Sequence, residues 1–371
     1  MVKWLVKNYS LNYSLTVKTI IFIMVQILPA PQGLLTVKPR RMLQFTERGI
    51  YCPQADLYID PWLPVKTAVI THGHSDHARR GSSHYICQQD SVGILKLRLG
   101  EDISVQGLPY NQTIASNGVT ISLHPAGHII GSAQVRLEYM GEIWVVSGDY
   151  KLMHDGLSVP FEPVKCHHFI TESTFGLPIY KFPPAQEVYA SINDWWRQNA
   201  SEGFNSVIIA YALGKSQSIL HHLDQSIGDI FLHGAVANVN DTFNAEGHAF
   251  PGRRITPDMT KKSIQGAMIV APSSALSTPW INRFSPSRKA VCSGWMQLRG
   301  ARRRSGVDRG FVLSDHCDWD QLNQAVVATG AENIYVTHGY QNTYAKWLTE
   351  RYQLNAVEIK TQFEPAIEDL D

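Results

Sequence analysis

No stretch constrains this chain more than Val69-Ile70-Thr71-His72-Gly73-His74-Ser75-Asp76-His77. A short apolar, β-branched run ends abruptly in a dense group of histidine and aspartate. A strand followed by a turn holds one end of such a segment and aims several side chains at one point. His72 and His74, two residues apart, can face the same way on extended backbone. Asp76 and His77 follow where the chain is expected to turn into a helix beginning at Ala78-Arg79-Arg80-Gly81. Imidazole and carboxylate together suit zinc and similar borderline cations. A polar loop of surface histidines is the bland alternative, and the density and order of H-x-H-x-D-H weigh against it.

Later segments repeat the design of an apolar run ending in a ligand-type residue. Val119 to His124 alternates as a strand should and leads into Pro125-Ala126-Gly127-His128, where glycine permits close backbone approach. Gln134–Tyr139 and Glu142–Val146 read as a hairpin around Met140-Gly141, and the second strand ends at Ser147-Gly148-Asp149. Further strand ends carry Glu172, His316 and His338. Tyr58-Ile59-Asp60-Pro61 puts an acid at a strand end just before the histidine cluster.

The H-x-H-x-D-H stretch resembles the signature of the metallo-β-lactamase superfamily. The later motifs narrow the resemblance to its β-CASP nuclease branch, and within it to bacterial ligase-associated DNA exonucleases, relatives of the Artemis-like repair nucleases. The resemblance implies an α/β fold, a metallo-β-lactamase αββα sandwich interrupted by an inserted β-CASP α/β cap. It implies two Zn2+, with Mn2+ as a substitute. His72, His74, His128 and Asp149 would hold one ion; Asp76, His77, Asp149 and His338 the other, Asp149 being shared. Asp76 counts with Glu172 and His316 as catalytic: His316 matches the histidine usually read as general acid, and Glu172 would hold its imidazole in place. Asp60 would orient the metal loop as an outer hydrogen-bonding partner. Six of the chain's 15 histidines thereby receive a role. His124 has no matching motif and is expected to be structural, and Asp315 and Asp318 to cap or solvate the helix that follows them.

Residues 1–32 are expected to be an extension outside the fold. The apolar run after Lys18 is too short to span a bilayer, which takes roughly 20 residues, although a signal peptide is a second reading of it. The first part of the core is expected over 33–180, the cap over 181–296 and the rest of the core over 297–371. Inside the cap, Ser206–Tyr211, Asp229–Leu232, Ala267–Pro272 and Ala290–Ser293 read as strands alternating with helices, one of them over Ser216–Ile227, which suits a parallel sheet. Tyr211-Ala212-Leu213-Gly214-Lys215-Ser216 is not a P-loop, because position 209 is Ile where G-x-x-x-x-G-K needs glycine. Lys215 at a helix start is expected either to meet a substrate phosphate or simply to begin the helix.

Composition bears on partners. A net charge of +1 over 371 residues implies none by itself, so a basic surface must be local. Arg299, Arg302, Arg303 and Arg304 form such a run beside Trp295, and arginine clusters bind phosphate backbones; a solvated charge run is the alternative. The expected partner is nucleic acid, DNA rather than RNA, and a DNA ligase is a further candidate. The DNA preference rests on resemblance in Cys52-Pro53, Ile59-Asp60-Pro61-Trp62 and Gly294-Trp295-Met296. His338 pulls the other way, because RNA-processing members carry histidine there and many Artemis-like eukaryotic nucleases carry valine. A ribonuclease processing mRNA ends, a small-molecule hydrolase and a non-catalytic nucleic-acid scaffold are the alternatives. Five scattered cysteines without a C-x-x-C pair point to a reducing, cytoplasmic location, with no membrane association.

Overall fold

The computed structural model describes residues 41–359, the side chain of Lys261 excepted. The expected extension over 1–32 lies outside them. Among the described residues no helix is long and apolar enough to cross a membrane.

The first sheet has the order β1 (Gln44–Thr46), β2 (Gly49–Cys52), β3 (Leu57–Ile59), β4 (Thr67–Val69), β5 (His84–Gln88), β6 (Val105–Leu108). Its last three pairings are parallel. Helix α1 (Val92–Leu99) crosses between β5 and β6. The second sheet begins with β7 (Thr113–Ser116), β8 (Val119–Pro125), β9 (Ala133–Tyr139), β10 (Glu142–Val146) and β11 (His168–Glu172). The expected hairpin is present, with Trp144 opposite Leu137.

After β11 the chain leaves this sheet and builds a third. It runs through α2 (Ala185–Ser201), β12 (Asn205–Ile209), α3 (Lys215–His222), β13 (Ile230–Leu232), α4 (Gly234–Ala245), β14 (Arg253–Arg254), β15 (Met268–Ala271), β16 (Ser287–Cys292), α5 (Arg299–Arg304) and β17 (Arg309–Phe311). These strands pair in parallel in the order β14-β13-β15-β12-β16-β17. The chain then passes through α6 (Trp319–Thr329) and returns as β18 (Asn333–Thr337), which pairs directly with β11, Phe169 opposite Ile334. Helix α7 (Gln341–Tyr352) and β19 (Asn355–Glu358) complete the second sheet. The third sheet is therefore an insertion between two neighbouring strands.

Alternation of side chains along each strand explains the layering. Val135, Leu137, Trp144, Val146, Ile170 and Tyr335 face inward and share a core with Ile50, Ile59, Val69 and Ile86 of the first sheet. Val145, Phe169, Ile334 and Val336 point the other way, against Leu322, Val326, Tyr344 and Leu348 of α6 and α7. Ala68, Tyr85 and Cys87 meet Leu95 and Leu99 of α1. The result is a helix–sheet–sheet–helix sandwich. In the inserted sheet, Ile208 and Val270 face one core while Val207, Ile209 and Ile269 face another, as a parallel sheet covered on both sides requires. Burying each such aliphatic side chain contributes about 1.5–3 kcal/mol.

Three expectations are corrected. No helix starts at Ala78: its amide bonds back to His74 O at 2.8 Å and the turn is not continued, because the chain has to enter β5 at His84. The inserted sheet also does not end at 296. Its edge strand β17 lies at Arg309–Phe311, too short for alternation to reveal. The helix expected over Ser216–Ile227 is likewise shorter, ending at His222.

Candidate metal centre

The strand β4 delivers the first ligands because its ladder stops at a defined place. Ile70 N still donates to Ile86 O at 2.8 Å, but Thr71 N donates to the carboxylate of Asp60 at 2.8 Å. Thr71 Oγ1 donates to the other Asp60 oxygen at 2.6 Å, and His77 Nδ1 lies 2.7 Å from it. Asp60 is 2% exposed, so these bonds replace water. Asp60 and His338 both hold left-handed backbone, φ +42° and +54°. Such conformations cost about 1–3 kcal/mol and cluster at functional sites.

The remaining residues converge on the same point. His72, His74, His128 and Asp149 present donor atoms within 4.8 Å of one another; so do His72, Asp76 and His77, and so do His77, Asp149 and His338. Asp149 Oδ2 stands 3.4 Å from His72 Nε2, 3.5 Å from His77 Nε2 and 3.9 Å from His128 Nε2. The His77 and His338 rings stack at 5.1 Å. A further group joins Asp149 with Glu172 and His316. His316 Nδ1 lies 2.9 and 3.0 Å from the two oxygens of Glu172, and Tyr150 N donates to Glu172 at 2.8 Å.

Ring nitrogens that point away from the centre are held by acceptors, which decides the tautomers. His128 Nδ1 lies 2.8 Å from Asp315 O and His74 Nε2 lies 3.0 Å from Leu213 O. A carbonyl only accepts, so each of these nitrogens carries the hydrogen. That leaves His128 Nε2 and His74 Nδ1, 3.2 Å apart, with lone pairs turned inward.

Electrostatics fit the same purpose. Burial is the main cause that pushes His72, His128 and His338 down, and it takes His74 to about 4, so these imidazoles are neutral. For His77, burial is outweighed by the carboxylates of Asp76, Asp149 and Asp60, and its pKa rises well above the usual value. For Asp149, burial is outweighed by His77 and His316, which hold it well below the carboxylate range. His72 Nε2 and Asp149 Oδ1 are buried and make no hydrogen bond. Buried lone pairs left bare are costly in a protein alone, whereas a cation would satisfy them. The donor set therefore fits divalent metal.

Other residues singled out in the sequence lie where their chemistry can be compared. Arg299, Arg302, Arg303 and Arg304 are exposed on α5. The turn before α5 carries Trp295, which packs 4.9 Å from Phe175, itself 6.1 Å from His316. Lys215 corrects its expected role: it is 2% exposed, with Nζ 3.7 Å from Asp315 Oδ2, and so does not stand at a surface to meet phosphate. Asp315 is correspondingly buried and does not solvate the next helix, whereas Asp318 caps it, accepting from Gln321 N at 3.0 Å. His124 lies 3.0 Å from Ser122 Oγ on its own strand. The backbone carbonyls of Leu213 and Asp315 went unseen in the sequence because a carbonyl has no side-chain signature.

Comparison with known proteins follows the same lines. No family model matches the chain. A protein named probable DNA ligase from Opitutus terrae is 32% identical over 308 residues, covering 82% of this chain and 30% of that protein. The endoribonuclease Ysh1 of Aspergillus fumigatus is 30% identical over 124 residues, 33% of this chain and 14% of that one. The Ysh1 endoribonuclease of Mycosarcoma maydis is 21% identical over 379 residues, covering 77% of this chain and 42% of that one. The chain thus spans less than half the length of these curated relatives. A crystal structure of a protein of unknown function from Enterococcus faecalis V583 shares the fold, with a TM-score of 0.54, 12% identity and 80% coverage of both chains. The relatives and the buried His/Asp cluster point to the metallo-β-lactamase/β-CASP family.

Proposed function

We propose that this chain is a two-metal phosphodiesterase that cleaves nucleic acid, acting on DNA as an exonuclease in end processing beside a DNA ligase. One observation carries the reaction class: the His316–Glu172 pair stands against the shared carboxylate of the candidate metal centre. His72, His74, His128 and Asp149 would hold one ion; His77, Asp149, His338 and Asp76 the other. When bound, zinc or manganese supplies Lewis-acid charge that acidifies water and offsets charge on phosphoryl oxygens. Asp60 and Thr71 keep His77 oriented. Glu172 holds the His316 imidazole with Nδ1 toward the carboxylate, so that Nε2 would be the atom that delivers a proton to the leaving oxygen.

Substrate reach comes from the inserted domain. A cavity of about 430 Å³ lies between α1 and that domain, lined by Arg98, Tyr211, Leu213, Asn238 and Ser273. Tyr211 from its wall packs 4.7 Å from the His74 ring. The exposed α5 arginines would bind the phosphate backbone. Resemblance to ligase-associated members and the ligase-named relative favour DNA. A ribonuclease processing mRNA ends is the second reading, favoured by His338 and by the relatives named endoribonuclease.

End-labelled single- and double-stranded DNA and RNA, incubated with zinc- or manganese-loaded protein and with an Asp76→Ala/His77→Ala control, decide between them. Stepwise loss of DNA from one end is the expected result. Digestion of RNA alone selects the second reading. Absence of phosphodiester cleavage alongside lactam or thioester turnover defeats both.

A further inference from the structure

One short loop of the inserted domain touches the candidate metal centre, and its consecutive residues meet different parts of it. The Leu213 carbonyl accepts from His74 Nε2 at 3.0 Å. Gly214, at φ +93°, packs so closely on the loop carrying His128 that a Cβ there would lie 2.2 Å from Ile129 Cγ2. Lys215, buried at the start of α3, places Nζ 3.7 Å from Asp315 Oδ2, and the backbone carbonyl of Asp315 accepts from His128 Nδ1 at 2.8 Å. Ile94, Ile129 and Ile130 of the core share one apolar cluster with Leu213, Ile219 and Val236 of the insertion, which seats the loop.

We propose that Lys215 and Asp315 are positioning residues for the metal centre: the Lys215–Asp315 ion pair aims the Asp315 carbonyl at His128 and so fixes the tautomer that turns His128 Nε2 to the metal. The inference rests on the metal-centre reading above. Buried charges require partners, and Asp315 is 4% exposed. Removing the lysine alone would leave that carboxylate uncompensated and drive its segment to rearrange, moving the carbonyl with it. Removing both charges would relieve that drive. Outer partners of metal-binding histidines typically govern affinity or activity by 10–100-fold.

The test is zinc affinity, measured by competition with a chromogenic chelator, in wild type, Lys215→Met and Lys215→Met/Asp315→Asn. The expected result is a loss of roughly 10–100-fold in affinity for one bound ion in the single variant, with partial recovery in the double variant. Imidazole nitrogen shifts in the metal-free protein are the second readout: His128 is expected to hold its hydrogen on Nδ1 in wild type and to lose that preference in Lys215→Met. A folded Lys215→Met with unchanged zinc affinity and an unchanged His128 tautomer overturns the proposal, and so does a double variant no better than the single one. If Lys215→Met does not fold, the double variant alone decides: zinc affinity nearer to wild type than to a His128→Ala protein, with His128 on Nδ1, upholds the proposal, and affinity as low as that of His128→Ala overturns it. Wild-type protein that takes up no zinc defeats the metal-centre reading instead, and the His128 tautomer still decides this one.

Discussion

The two halves of the candidate metal centre are held by different parts of the molecule. His77 is oriented by Asp60, with Thr71 as co-partner, and the His338 ring nitrogen lies 3.1 Å from Thr337 Oγ1. All of these belong to the two-sheet core. His74 is oriented by Leu213 of the insertion, and His128 by a carbonyl whose own carboxylate faces Lys215 of the insertion. One half takes its partners from the core, and in the other His74 and His128 depend on contacts with the inserted domain.

The largest expected effect comes from the residue common to both halves. Asp149→Ala should abolish uptake of at least one ion and lower turnover by about 10³-fold or more, since metal charge is worth several kcal/mol in a transition state; metal stoichiometry and single-turnover rates check it. Glu172→Gln should leave both halves loaded while lowering kcat by about 10²–10⁴-fold. Loss of metal in that variant would mean that Glu172 supports the centre rather than the proton transfer.

Asp60→Ala strikes mainly the core half. It strips Thr71 and His77 of a buried partner and should weaken metal affinity by about 10–100-fold, with less effect on the His74–His128 half. Acidification should also act mainly on the core half. His77 is the imidazole raised well above its ordinary pKa in the metal-free protein. At neutral pH it carries a proton that the cation must displace, so affinity rises with pH until that raised pKa is passed. Calorimetry in buffers of different ionisation enthalpy should record proton release on zinc binding. The same raised pKa stabilises metal-free protein below the unfolded value of about 6.5, a contribution lost as pH climbs through the folded one. The smallest effect is expected from Arg303→Ala/Arg304→Ala, which touches neither half. It should raise KM and lessen the salt dependence of substrate binding by about one to two counterions, with kcat unchanged.

Much of the candidate centre was legible in the chain because its candidate ligands are side chains at strand ends. A strand fixes direction, and the first polar residues beyond it must turn outward or share a ligand. His72, His128, Asp149 and His338 all follow that rule, and the structure brings them together. The single helical turn from His74 to Ala78 misled because its residues alone do not separate a turn from the start of a helix. Strand β17 escaped because it is too short for alternation to reveal. Lys215 misled differently: glycine and lysine at a helix start read as an exposed anion site, and burial depends on what packs over them.

By itself the sequence showed ligand-type residues at successive strand ends, the alternation along the strands, and strands alternating with helices between Glu172 and His316. Those are properties of residue type and period, which local backbone geometry converts directly into faces and ends. Only the tertiary structure decided which atoms hold the histidine rings. Thr71, Leu213 and Asp315 act through atoms whose partners lie far along the chain, and a backbone carbonyl is the same in every residue. Its meaning comes from what the fold sets against it.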